Sequence, residues 1–183
     1  MPYPALAIAN EFIKVARERN KQLTPMELLK LVYFAHGWYL ALSGVPLINE
    51  PVQAWRFGPV IPSIYHAFKR YGSGPIIALA TSDPFEPPIW GAQDSVAAHE
   101  YSIDDGLDSN ENETAKRLVR KIWEQYGQFN AIQLSNLTHE DDSPWSKTEE
   151  RDKAKGIEIE EESIRRYFLS KLSASQDVHS PTA

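Results

Sequence analysis

Cysteine is absent from this chain of 183 residues. That excludes disulfides, zinc–thiolate centres and thiol catalysis, and it fits a reducing compartment. Long apolar runs are missing too. None approaches the ~20 residues of a membrane helix, so no membrane partner is expected. The opening residues, Met1 to Phe12, lack the basic start and apolar centre of a secretory leader. Basic side chains are outnumbered, 19 against 25, for a net charge of −6. Lys69-Arg70 and Arg165-Arg166 are pairs rather than a stripe, which argues against a nucleic-acid partner. Gly72-Ser73-Gly74 is too short and too proline-bounded to cradle phosphates, and no His-Glu-x-x-His occurs.

What is present suits a packed fold. Hydrophobic residues make up 42% and aromatics 11%, enough for one domain with a substantial core. We expect that domain over residues 1–172, with a flexible tail at 173–183. Charge is uneven along it. Residues 1–78 carry eight basic and four acidic side chains. Residues 79–113 carry nine acidic and no basic ones. An acidic, proline-containing insertion over 73–112 therefore separates two helical halves. Such a run reads as a solvated loop or as a surface for a basic partner.

Helical periodicity dominates elsewhere. Residues 5–20 place Ile8, Phe12 and Val15 on one face. Thr24-Pro25-Met26-Glu27 is a helix start, with a capping threonine, proline in the first turn and a capping-box glutamate. That helix should reach Ser43, with Gly44 as its stop. It is apolar nearly all round, from Leu28 to Leu42, so it should be the buried centre of the core. An extended piece is expected at Val52–Phe57, then a helix over 59–71 carrying Ile61, Ile64, Tyr65 and Phe68. A short strand is expected at Val96–Ile103. Helices follow from Glu113 to Tyr126, from Asn130 through Ile132, Leu134 and Leu137, from Ser143-Pro144-Trp145, and from Glu160 to Leu172. The fold class is mainly α: a helical bundle around helix 25–43, with at most a few short strands.

Two constellations carry possible function. His139-Glu140-Asp141-Asp142 is the densest group of potential metal ligands, and His36 is a further one. With metal, His139, Asp141, Asp142 and His36 would make a hydrolase. The plainer reading is a helix end, with His139 on free carbonyls and the acids in solvent. His36 likewise reads as a hydrogen-bonded core residue. No catalytic residue, metal or cofactor is expected. Trp55-Arg56-Phe57-Gly58-Pro59-Val60 is the second constellation. Gly58 before Pro59 implies a backbone bend. If the segment is extended, Trp55 and Phe57 point one way and Arg56 the other. Its aromatics read either as a core corner or as a partner surface, since Trp, Tyr and Arg dominate interfaces. The partner-binding expectation is Trp55, Arg56, Phe57, Gly58, Pro59, Val60, Tyr65 and Lys69.

The block from Thr24 to Leu40, Gly44-Val45-Pro46-Leu47, and Ala54 to Val60 with Ile64-Tyr65, Phe68 and Tyr71-Gly72 resembles the Panacea antitoxin domain family. That family groups SocA-like antitoxins and the phage-associated protein GepA. Leu134 to His139 and Pro144-Trp145 add a weaker match. The resemblance covers roughly residues 8–170 and implies a mainly helical cytoplasmic protein of a bacterium or phage. It further implies neutralisation by direct binding of a cognate protein toxin, encoded next door, without catalysis. A second copy of the chain and DNA autoregulation remain open as further roles.

Overall fold

A computed structural model describes residues 1–82, 99–105, 108–148 and 156–177. Among them are seven α-helices and one small sheet, so the fold is mainly α as expected. The organising element is helix α2, Pro25–Ser43. Its start forms as the sequence dictates: the Thr24 side chain accepts from the Glu27 amide and Glu27 Oε2 accepts from Thr24 N at 2.8 Å. Gly44 ends it in the left-handed region at φ 75°, a conformation glycine adopts without strain. Leu28 to Gly37 are all buried, because α2 is covered on several sides by other helices and by the sheet.

Helix α1, Ala5–Glu18, packs on α2 and on the later helix α4, Ser109–Tyr126. The fourth-turn stripe of α4 buries Val119, Ile122, Trp123 and Tyr126. It starts four residues before the expected Glu113, because Asp108 caps it by accepting from Asn110 N at 2.7 Å. Buried Asn10 of α1 ties in the chain beyond the bundle: its side chain bonds Ala80 O, Tyr101 O and Ala80 N at 2.8–2.9 Å. This leaves little ladder for the strand expected at Val96–Ile103. Residues 99–103 show a single bridge, Thr81 to Glu100, and residues 96–98 lie outside the described residues.

The sheet has the order β2–β1–β3, with β1 Gln53–Trp55, β2 Gly58–Val60 and β3 Ile157–Glu158, all antiparallel. Two expectations are corrected here. Val52–Phe57 is not one extended piece: Trp55 pairs with Gly58, so Arg56 and Phe57 form a two-residue hairpin turn. Helix α3 runs Pro62–Phe68, continued by a 3-10 turn at Lys69–Tyr71, rather than from Pro59. Pro59 is taken into β2, an edge strand, where a residue without an amide hydrogen is tolerated.

Three short or late helices finish the fold. Helix α5, Ala131–Thr138, is held by a capping box between Asn130 and Gln133. Ile132 is 72% exposed, whereas Leu134 faces the core. Helix α6 is Pro144–Lys147. Helix α7 runs Glu161–Asp177, so five residues of the expected tail are helical. It lies along α2, where Gly37 leaves room for the Phe168 ring; a Cβ there would sit 2.1 Å from Phe168 Cε2. Phe168 joins Tyr33, Phe34 and Trp38 in edge contacts at 5.1–6.2 Å, and Phe34 stacks on Tyr126 at 4.4 Å. Among the described residues, no helix is long and apolar enough to cross a membrane.

Candidate functional site

The β1–β2 hairpin is gripped from beneath by a lysine. Lys30 lies in the middle of α2 with no exposed surface. Its Nζ donates to Phe57 O at 2.8 Å and to Pro59 O at 3.2 Å. Burial pushes its pKa down to about 7, since water no longer solvates the ammonium. The two carbonyls meet the donor demand that would otherwise make a buried amine costly. The sequence signal was available: a lysine amid an all-apolar helix must find acceptors. The apolar count around it hid that.

Gly58 explains how the grip is close. Its φ is 105°, and a Cβ would stand 2.3 Å from Lys30 Nζ and 2.9 Å from Thr138 Oγ1. Both the torsion and the space require glycine. From α5, Ser135 Oγ donates to Phe57 O at 3.2 Å. From α6, Trp145 Nε1 donates to Trp55 O at 2.7 Å. His139 stacks on Trp145 with ring centres 3.9 Å apart. The later, weaker stretch of the resemblance is thus folded against the earlier one. Its bonds hold hairpin carbonyls in place.

The expected partner residues separate by exposure. Phe57 is 61% exposed, and Arg56 beside it is exposed with its guanidinium 5.4 Å from the Phe57 ring centre. Trp55 and Tyr65 are half-buried; they meet edge-on at 4.8 Å, and Trp55 Nε1 donates to Gln53 Oε1 at 3.0 Å. Lys69 is exposed, 3.5 Å from His66 Nδ1. Gly58, Pro59 and Val60 are buried and shape the turn from inside. Exposed Ile132 lies one helical turn before Ser135, on the side of α5 that reaches the hairpin. A rigid tip with one exposed aromatic and one exposed cation can insert into a partner; it offers no nucleophile.

The alternative constellation is not assembled. Asp141 and Asp142 are exposed, and Asp142 pairs with Lys147 at 3.3 Å. His139 lies stacked against Trp145, while Glu140 takes Tyr167 and Lys171. Among the described residues, no three His, Cys, Asp or Glu side chains are placed to hold a metal. His36 is corrected differently. It is buried, as expected, but among the described residues neither ring nitrogen has a hydrogen-bond partner. Burial pushes its pKa down to about 4.

Comparison with known proteins matches the same segment. A sequence model of the family described as "Antitoxin SocA-like, Panacea domain" fits residues 28–146, a span that begins just before Lys30 and ends just after Trp145. The chain is similar to Antitoxin SocA of Caulobacter vibrioides (strain NA1000 / CB15N), at 30% identity over 141 residues. The alignment covers 77% of this chain and 68% of that protein. No solved structure matches.

Proposed function

The chain belongs to the antitoxin SocA-like, Panacea domain family, and on that premise we propose that it neutralises a cognate protein toxin by binding it directly. The observation that carries this reading is the exposed Arg56–Phe57 tip on a hairpin whose backbone is fixed by Lys30, Ser135 and Trp145. A preorganised aromatic beside an arginine loses little freedom on binding and has the chemistry of an interface anchor. Trp55, Tyr65, Lys69 and Ile132 complete the surface around it. Gly58, Pro59 and Val60 contribute by holding its shape. Neutralisation is by occupation, not catalysis, and takes place in the cytoplasm where the toxin acts.

Coexpression with the product of the adjacent gene tests this. The two proteins should copurify, and growth arrest by the partner should be relieved. If the neighbour is harmless alone, or remains toxic and unbound in the presence of this chain, the reading fails.

A further inference from the structure

A cleft of about 530 Å³ opens where α2, the residues before β1 and the β3–α7 junction meet. That is within the roughly 300–1,000 Å³ of ligand pockets. Its polar lining is one-sided. Glu50, Glu158, Glu160 and Glu161 all border it, with no lysine or arginine among the lining residues. None of the four makes an ion pair among the described residues. Glu50 is held by Ala5 N at 2.9 Å and Ser63 Oγ at 3.3 Å, but burial still pushes its pKa up.

An acidic rim alone would be an ordinary solvated surface. The floor makes it more than that. His36, 1% exposed, is part of this lining, and both of its ring nitrogens are unpartnered among the described residues. A buried polar side chain without partners is uncommon in a folded protein and calls for an explanation. Neutral imidazole has one nitrogen free to accept a hydrogen bond. Apolar walls, Ile164 among them, suit an aliphatic stem.

We propose that this cleft receives an arginine side chain of a partner protein, its guanidinium reaching the His36 ring while the rim glutamates take its remaining N–H groups. Guanidinium has five donors in a planar fork and is matched by carboxylates. Three features select it over an anion or a neutral group: four carboxylates without an ion pair among the described residues, a lining without lysine or arginine, and the unsatisfied acceptor. The site deepens the proposed partner-binding role and rests on it only for the source of the arginine.

The test uses the full-length chain without any toxin, so it stands or falls independently of neutralisation. N-acetyl-arginine methylamide, blocked at both ends like a residue within a chain, is titrated while the ring resonances of His36 are followed by NMR. Blocked citrulline, its neutral isostere, serves as the control, and free arginine separates a protein side chain from a metabolite. Blocked arginine should shift His36 saturably at or below about 10 mM, citrulline should not, and Glu158→Gln with Glu160→Gln should weaken binding about tenfold. Both glutamates are exposed, and the melting temperature of the double variant checks its fold. Absence of a saturable shift, an equal response to citrulline, binding only of free arginine, or unchanged affinity in the folded double variant would each overturn the proposal.

Discussion

Lys30 Nζ lies 2.8 Å from the carbonyl oxygen of Phe57, so a side chain with no exposed surface fixes the backbone of a residue whose ring is 61% exposed. Lys30→Met keeps the length and removes the donors. Phe57 O retains Ser135, but Pro59 O loses its lysine donor inside the protein. The variant should lose about 1–2 kcal/mol, the usual cost of stranding a buried acceptor. Amides of residues 55–58 should exchange faster while those of α4 do not. Unchanged stability together with unchanged exchange would show that the grip is incidental.

Gly58→Ala should be worse than its single methyl suggests. The new Cβ meets Lys30 Nζ at 2.3 Å, and a φ of 105° is unfavourable for alanine. We expect a loss above about 1 kcal/mol in chemical denaturation. Gly44→Ala, with open space around the new Cβ and a left-handed φ of 75°, should cost less than Gly58→Ala.

Three truncations separate anchor from core. Leu31→Ala removes a fully buried side chain and should cost about 2–5 kcal/mol of stability. Phe57→Ala should leave the melting temperature almost unchanged and weaken toxin binding by about 2 kcal/mol or more, as an interface anchor does. Trp55→Ala should do some of both, because its ring is half-buried against Tyr65. Calorimetric titration with the copurified partner provides the binding arm. Full affinity in Phe57→Ala would remove the tip from the interface.

Acidification should expose His36. Its folded pKa is lowered to about 4 from 6.5, so between those values the unfolded chain holds a proton that the native ring refuses. Stability is then retained above pH 6.5 and falls as the pH drops toward 4, by about 3 kcal/mol in all. Glu50, raised by burial, acts with the opposite sign. It is present in both wild type and His36→Leu, so it cancels in their difference. The variant should have a flatter stability profile than wild type over this window. Parallel profiles would mean that the ring titrates normally.

Much of the scaffold was legible because local rules and tertiary packing agree there. Thr24, Pro25, Glu27 and Gly44 marked both ends of α2, and its all-round apolar surface indicated that it would be central. The hairpin was misread as a straight segment because only strand pairing reveals that Arg56 and Phe57 turn the chain. Pro59 was placed in a helix start by its ring geometry alone, whereas the sheet edge offered it another position. Asn10 and the bonds from Ser135 and Trp145 were missed for one reason. Their partners are backbone groups distant in the chain, and a backbone group has no signature in sequence.

The bond from Trp145 to Trp55 spans 90 residues. A ribosome adding roughly 5–20 residues per second makes the hairpin about 5–20 s before it makes the clasp that closes over it. Nascent chains that end before Ser135 therefore hold the tip through Lys30 but without the bonds from Ser135 and Trp145. Protection against a toxin translated at the same moment would lag behind synthesis, and cells would depend on chains completed earlier.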